Sequence, residues 1–335
     1  MKTTTLLLSF MLIVIGPIHS QKQFSPSSDL KKDAGYFFTG AREMIKTKKI
    51  KSDIIITAFT QKGVIITEEE GSPWYNATIF LQGSVLKDTM GNELKEVIIC
   101  EACDMDGDLN WAVLHYPEGN TGPGTFELVQ GTGKWAGIMG TGKITGNRTE
   151  RADEYSMPAY DISWQIDPVN APNSDEIENK EQYEFRDECL SFHGPHVFLF
   201  SRELANGVSL EFSTQSGVLM SLLSPETISP RNNATCFDRG NTVKLNGQTL
   251  GDVMLLEDTD QDGDVVWLLH IWWYNKGPGS YKFIDGIGKW EGIEGIGVTR
   301  GNYLNRTDDH FMLKSELVWN LKKNQTKEYS QLLEL

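Results

Sequence analysis

The segment Gly131-Thr-Gly-Lys-Trp-Ala-Gly-Ile-Met-Gly-Thr-Gly142 occurs a second time as Gly286-Ile-Gly-Lys-Trp-Glu-Gly-Ile-Glu-Gly-Ile-Gly297. Every glycine, the lysine and the tryptophan are in register between the two copies. The rest of the chain also repeats at a shift of 155 to 157 residues, and three tryptophan pairs coincide: Trp111 with Trp267, Trp135 with Trp290, and Trp164 with Trp319. A repeat of this length predicts two similar domains.

The repeat assigns 21–166 to the first domain and 183–322 to the second. Residues 167–182 are rich in Asn, Glu, Asp and Pro and are predicted to be an acidic, solvated linker, and 323–335 form a C-terminal tail. Residues 1–20 resemble a secretory signal peptide, with an early lysine, an apolar run from Leu6 to Ile15 and a small residue before the expected cleavage site. That run is too short to span a bilayer, so we expect a secreted protein without a membrane span.

The formal net charge of the 335 residues is −15, which disfavours nucleic acid as a partner because the phosphate backbone would be repelled. Hydrophobic residues make up 39%, enough for packed cores. In the secretory pathway the Asn-x-Ser/Thr triplets become glycosylation sites, and we expect glycans on the five asparagines Asn76, Asn147, Asn233, Asn305 and Asn324.

The four cysteines are expected to form disulfides in an oxidising compartment. The preferred pairing keeps each bond within one repeat: Cys100 with Cys103, and Cys189 with Cys236. A structural disulfide or a pair of buried free thiols is preferred to a redox or half-zinc role for the Cys100-Glu-Ala-Cys103 spacing, because no second close pair and no βαβ context accompany it.

Each repeat is rich in β-branched runs bounded by turn residues, such as 53–60, 63–67 and 96–100. A long helical period is missing from most of the sequence. We therefore predict an all-β protein of two tandem antiparallel barrels, because closing a sheet of about eight strands removes exposed edges.

The glycine motif, preceded by a Trp and by Asp104-Met-Asp106-Gly-Asp108 or Asp260-Gln-Asp262-Gly-Asp264, resembles the barrel family of allene oxide cyclases and dirigent proteins. The resemblance implies an eight-stranded antiparallel barrel in each repeat, with an apolar cavity for a small hydrophobic molecule. It transfers no catalytic residue. In length and layout the chain is also similar to the secreted luciferases of syllid fireworms.

The acidic turn of the second repeat has the start of a calcium loop, with Asp258, Asp260 and Asp262 followed by Gly263. The twelfth position is Leu269, so the bidentate glutamate is missing. A hairpin turn is therefore preferred to a Ca²⁺ or Mg²⁺ site, and no other cofactor is evident.

His115 and His270 stand at similar places after a repeated Trp and are the candidate catalytic residues, against the alternative of structural core histidines. Strand alternation puts His270 and Trp272 on one face. His193-Gly-Pro-His196 is interpreted as a loop because no cysteine or carboxylate close in sequence completes a metal site. The candidate ligand-binding aromatics are Trp272, Trp273, Tyr274 and Tyr116.

Three functions follow from these features. The first is a secreted glycoprotein that encloses a small apolar or aromatic molecule. The second is a cofactor-independent, luciferase-type oxidoreductase that oxidises such a molecule with O₂ and emits light, with His115 or His270 as the base. The third is a calcium-associated extracellular matrix protein. The sequence does not decide whether the protein is catalytic.

Overall fold

The computed structural model describes residues 30–51, 53–119, 122–145, 155–166, 180–223, 228–274, 278–300 and 310–321. The expected signal peptide, the C-terminal tail and most of the linker lie outside these ranges, as do Asn147, Asn305 and Asn324.

The first repeat forms a closed antiparallel barrel of eight strands in sequential order, here called the first barrel. The strands are β1 (Lys31–Lys49), β2 (Ile54–Thr67), β3 (Thr78–Asp88), β4 (Glu93–Cys103), β5 (Leu109–Tyr116), β6 (Gly124–Gly131), β7 (Ile138–Thr145) and β8 (Ala159–Ile166). β1 pairs with both β2 and β8, which closes the ring and leaves no free sheet edge.

The second repeat forms a nine-stranded antiparallel sheet in the order β10 to β17 and then β9. Its strands are β9 (Phe185–His193), β10 (Val197–Glu203), β11 (Val208–Ser221), β12 (Ala234–Leu245), β13 (Gln248–Thr259), β14 (Val265–Trp273), β15 (Gly279–Gly286), β16 (Glu294–Arg300) and β17 (Phe311–Asn320). An additional pairing joins the end strand β9 to β11, next to the other end strand β10, and we call the result the second ring.

The second repeat therefore departs from the expected eight strands. The single long β1 of the first barrel is replaced by two strands, β9 and β10, separated at Gly194-Pro195-His196. Proline has no backbone N–H to donate to a sheet, so the strand is interrupted there. Both pieces still pair with β11, which spans the gap.

The described helices are four three-residue 3₁₀ turns: Gly133–Trp135, Lys180–Gln182, Ala205–Gly207 and Gly288–Trp290. None of the helical segments in the described ranges has the length and apolar character needed to cross a membrane.

In each repeat, the 3₁₀ turn within the glycine motif is hydrogen-bonded to the acidic turn that precedes it. In the second ring, Trp290 Nε1 donates to Asp260 Oδ2 at 2.8 Å and Lys289 Nζ lies 2.9 Å from the same oxygen. Gly288 has φ 63°, and a Cβ there would lie 1.7 Å from Asp264 Oδ1. Only glycine fits this left-handed close approach, and the first barrel repeats the arrangement with Trp135 and Asp104.

The two repeats pack side by side through the outer faces of their strands. One continuous apolar cluster contains Phe80 and Trp111 of the first barrel together with Phe212, Trp267 and Trp273 of the second ring. Two polar contacts in this interface are related by an approximate twofold axis. Gln82 Nε2 donates to Asn241 Oδ1 at 2.5 Å, and Arg239, the counterpart of Gln82, donates to Ser84 Oγ, the counterpart of Asn241. The chain thus contains an interface of the kind found in symmetric dimers.

Candidate functional site

The first barrel is filled by an aromatic cluster. Trp74 contacts Phe37, Phe126 and Tyr160 with ring centroids 5.2, 4.9 and 4.8 Å apart, and all four rings are buried. Such contacts close the interior with apolar surface. The first barrel therefore has a core typical of a structural domain.

The second ring has different residues at the four matching positions. Pairing registers and the repeat place Ser191, Arg231, Tyr281 and Ser315 where the first barrel has Phe37, Trp74, Phe126 and Tyr160. All four are buried. Two aromatic rings are replaced by serines, and one tryptophan is replaced by a charged side chain.

Arg231 and Asp258 form a buried ion pair inside the second ring. Arg231 Nε donates to Asp258 Oδ2 at 2.8 Å, and the guanidinium lies 4.7 Å from the centre of the Tyr281 ring. Burial raises the pKa of Asp258 to about 6, although Arg231 opposes this shift. The position equivalent to Asp258 in the first barrel is Ala102, so both members of the pair are specific to the second ring.

His193, Cys236 and Asp238 form a second buried group beside that pair. His193 Nδ1 lies 3.1 Å from Asp238 Oδ2, and Cys236 Sγ lies 4.0 Å from His193 Nδ1 and 3.9 Å from Asp238 Oδ2. Burial and the nearby Asp238 raise the pKa of the Cys236 thiol. The three side chains could hold a metal ion. At the matching positions the first barrel has Thr39, Ile79 and Leu81.

His270 faces the same interior. Its ring stacks on Tyr281 at 4.5 Å between centroids, and its Nε2 lies 3.5 Å from Thr299 Oγ1. Burial lowers the pKa of His270 to about 3, so the imidazole is neutral near pH 7. Trp272 is two residues further along the same strand face, with its ring 6.2 Å from that of His270.

Four polar atoms of this interior have no hydrogen-bond partner among the described residues: Arg231 Nη2, His193 Nε2, Asp238 Oδ1 and Asp258 Oδ1. Their residues are at most 6% exposed. Buried polar atoms are nearly always satisfied, so these four atoms require a physical explanation.

The other candidate aromatics are placed elsewhere. Trp273 points out of the ring into the interface and lies 6.2 Å from Trp111. Tyr274 is 42% exposed and its hydroxyl donates to Asp252. Tyr116 is part of the first barrel's core. Of the four predicted ligand-binding aromatics, Trp272 is the one that lies beside His270 in the second ring.

His115 does not match His270 in space. The register aligns Trp111 with Trp267, which makes Leu114 the counterpart of His270. His115 therefore points out of the first barrel, where its Nε2 lies 2.8 Å from Asp285 Oδ2 of the second ring. A one-residue offset reverses the face of a strand, so the two histidines cannot share a role inside matching barrels.

Asp258, Asp260 and Asp262, weighed as a calcium site against the preferred hairpin turn, do not converge within the described structure. Asp258 points into the ring toward Arg231, whereas Asp260 and Asp262 are both paired with Lys289. Asp260 and Asp262 do lie close to Asp264, which pairs with Lys51. Lysine side chains thus supply the positive charge at this turn.

The predicted disulfides are absent, and all four cysteines are buried free thiols. Cys100 lies in the core of the first barrel and Cys103 in the cluster between the repeats. Three residues apart on a strand, they point to opposite faces and cannot meet. Cys189 approaches Arg231, and Cys236 instead neighbours His193.

Two predicted glycosylation sites lie in the described ranges. Asn76 and Asn233 are exposed, and both adopt a left-handed backbone, with φ 52° and 51°. They occupy equivalent turns directly before β3 and β12. Their side chains are accessible at the surface, and glycosylation stays a prediction.

Arg231, Asp258, His193, Cys236 and Asp238 were not grouped by sequence reasoning, although the repeat held the necessary information. Positions where one copy is apolar and the other ionisable mark the difference between the two interiors. Cys236 and Asp238 are also more than 40 residues from His193 in sequence, so a search for nearby ligands could not find them.

Fold and site together define an all-β protein of two packed antiparallel repeats. Each repeat has one equivalent buried carboxylate, Asp33 or Asp187. Within the described residues, the second ring adds the Arg231–Asp258 pair and the group of His193, Cys236 and Asp238. No protein-family model and no curated protein matches the chain. Among solved structures, a pterocarpan synthase dirigent protein is similar with 9% identity, a TM-score of 0.28, and coverage of 45% of this chain and 100% of that one. The structure of CghA with Sch210972 has 6% identity, a TM-score of 0.10, and coverage of 86% and 88%. At these TM-scores neither likeness carries an argument.

Proposed function

We propose that the second ring encloses a small aromatic molecule that carries hydroxyl or similar polar groups. The observation that supports this is the set of four buried polar atoms without partners in the described part of the chain, three of which belong to residues whose counterparts in the first barrel are apolar. Leaving such groups unpaired costs free energy, and a bound polar molecule would offset that cost. The first barrel then serves as a packed structural partner.

The exchanged residues also favour a chamber in the second ring. Replacing Phe37 and Tyr160 by Ser191 and Ser315 removes two aromatic rings from a close-packed interior. Cys189, at the place of Gly35, returns part of that volume. At these positions the second ring therefore has less side-chain volume than the first barrel, as expected for a ligand-binding domain beside a fully packed one.

The available atoms suggest which chemistry the molecule presents. Arg231 Nη2 offers a donor, and the Asp238 and Asp258 oxygens offer acceptors. A hydroxyl group can accept from Arg231 and donate its one proton to either carboxylate, so a molecule with two hydroxyl groups could satisfy both. Trp272 and the stacked pair of His270 and Tyr281 supply aromatic surface for the body of the molecule.

The test begins with the native protein. Small molecules extracted from it are identified by mass spectrometry, and the recovered molecule is titrated against ligand-free protein while tryptophan fluorescence is recorded. His270→Gln should weaken binding tenfold or more. His115→Gln, which changes a histidine in the interface, is the matched control and should bind normally. Equal binding by both variants would contradict the location of the site.

Conversion of the bound molecule is the second candidate. Asp258, with a pKa raised to about 6, is a carboxyl group that can exchange a proton near neutral pH. Oxidation with O₂ and light emission would make the protein a luciferase-type oxidoreductase without a cofactor. Light recorded on adding aerated ligand, and its loss in Asp258→Asn, tests this proposal.

The calcium-associated matrix role is less favoured because lysines occupy the acidic turns.

The type of barrel, export and glycosylation are also part of the proposal. The glycine motif and the closed eight-stranded ring of the first repeat support a barrel of the dirigent-like type. Export and glycosylation rest on the N-terminal sequence and the sequons, and N-glycosidase treatment of the secreted protein should lower its mass.

A further inference from the structure

His193, Cys236 and Asp238 have the donor set of a transition-metal site. A histidine nitrogen, a cysteine sulfur and a carboxylate oxygen are all ligands of Zn²⁺, with metal–ligand distances of about 2.0 to 2.3 Å. Tetrahedral geometry at those lengths separates neighbouring donors by roughly 3.3 to 3.6 Å. The donor atoms in the second ring are separated by 3.1, 3.9 and 4.0 Å.

The backbone around the cluster allows these side chains to meet. Cys236 and Asp238 are alternate residues of β12 and point to one face. His193 ends β9, and Gly217 of β11 is paired with both His193 and Cys236. A Cβ on Gly217 would lie 2.9 Å from Cys236 Sγ, so glycine leaves the space over which the donors approach each other.

Charge supplies an independent argument. Arg231 is balanced by Asp258, but Asp238 is 2% exposed and its Oδ1 has no partner in the described structure. A buried carboxylate without full compensation is costly, and a cation beside it would remove that cost. The first barrel provides a comparison, since Thr39, Ile79 and Leu81 cannot form such a site.

We infer that the second ring binds one divalent transition metal ion, Zn²⁺ by its donor chemistry, through His193, Cys236 and Asp238. Binding displaces the proton of the Cys236 thiol, which becomes a thiolate ligand. Three protein ligands leave a fourth position for water or for a polar group of a bound molecule. The inference goes beyond the proposed organic ligand, and the metal can be tested alone.

The experiment uses the full chain after dialysis against a chelator. Co²⁺ is titrated while absorbance is recorded, and Zn²⁺ is measured by elemental analysis after gel filtration. We expect one ion per chain and a thiolate-to-cobalt charge-transfer band in the near ultraviolet. Cys236→Ser should abolish the band, and Asp238→Asn should weaken Zn²⁺ binding tenfold or more.

Two controls locate the ion. Cys100→Ser changes a buried thiol in the first barrel and should leave the band intact, and Asp262→Asn changes only the acidic turn. One bound cobalt without a thiolate band overturns the inference, as does a binding loss confined to Asp262→Asn. If Cys236→Ser or Asp238→Asn does not fold, the charge-transfer band and the metal stoichiometry of the wild-type protein test the inference. If the protein binds an organic ligand but takes up no metal, the inference of a metal site is wrong and the proposed function stands.

Discussion

Arg231 occupies in the second ring the position that Trp74 occupies in the first barrel. The backbone N–H of each donates to the serine hydroxyl two residues earlier, at 3.1 Å in both cases. Those serines in turn donate to Asp33 and Asp187, which are also equivalent. The same backbone frame thus carries an aromatic core residue in one copy and a buried cation in the other.

The Arg231–Asp258 pair predicts an asymmetric response to mutation. Asp258→Ala leaves a buried guanidinium without its carboxylate and should lower the free energy of unfolding by about 3 to 5 kcal/mol. The double variant Arg231→Met with Asp258→Ala should recover most of that loss, because it replaces the pair by apolar groups. Urea denaturation measures both. A double variant no more stable than Asp258→Ala would contradict this account.

His270 predicts a loss of stability toward acid. Its pKa is about 3 in the folded protein because of burial, against about 6.5 when unfolded. Between these values the unfolded chain binds the extra proton, so the free energy of unfolding falls as the pH drops from about 6.5 toward 3. His270→Gln should reduce this dependence when unfolding is measured across that range. An unchanged slope would show that His270 is charged or solvated.

Glu101 predicts the opposite dependence, a loss of stability as the pH rises. It faces the second ring, accepts a hydrogen bond from Asn241, and burial raises its pKa to about 8. The folded protein therefore holds a proton that the unfolded chain releases above about pH 4.3. This contribution should lower stability as the pH rises from about 4.3 to 8. Glu101→Gln should flatten the profile in that range, and an equal slope in both proteins would refute the assignment.

The cysteines should all be free. Alkylation in denaturant without a reductant is expected to modify four thiols per chain, since Cys100 and Cys103 point to opposite faces of β4. The same reaction without denaturant should be slow because all four are buried. Mass spectrometry counts the modified residues. Recovery of only two modified thiols would reveal a disulfide.

The repeated motif should be structural. Asp260→Ala removes the acceptor of the buried Trp290 N–H and a carboxylate that pairs with Lys289. An unsatisfied buried donor costs about 1 to 3 kcal/mol, so the unfolding free energy should fall by that order. Asp262→Ala, whose side chain is 70% exposed, is the control and should have a much smaller effect. Equal effects would mean that the tryptophan bond is unimportant.

The sequence by itself determined the duplication, the all-β class and the pairing of His270 with Trp272 on one strand face. These are local or periodic properties, fixed by strand alternation and by comparison of one copy with the other. The sequence comparison treated His115 and His270 as standing at similar places, although the alignment of Trp111 with Trp267 makes Leu114 the counterpart of His270, as the strand register confirms.

The tertiary structure decided which distant residues meet. His193 reaches Cys236 and Asp238 only because β9 and β12 both pair with β11, and Cys100 cannot reach Cys103 because a pleated strand separates their faces. Interactions across a ring depend on closure and register, and neither is encoded in the spacing of the residues that make contact. The two ionisable groups inside the second ring are therefore a property of the folded chain, although four of their five residues stand at repeat positions that are apolar in the first copy.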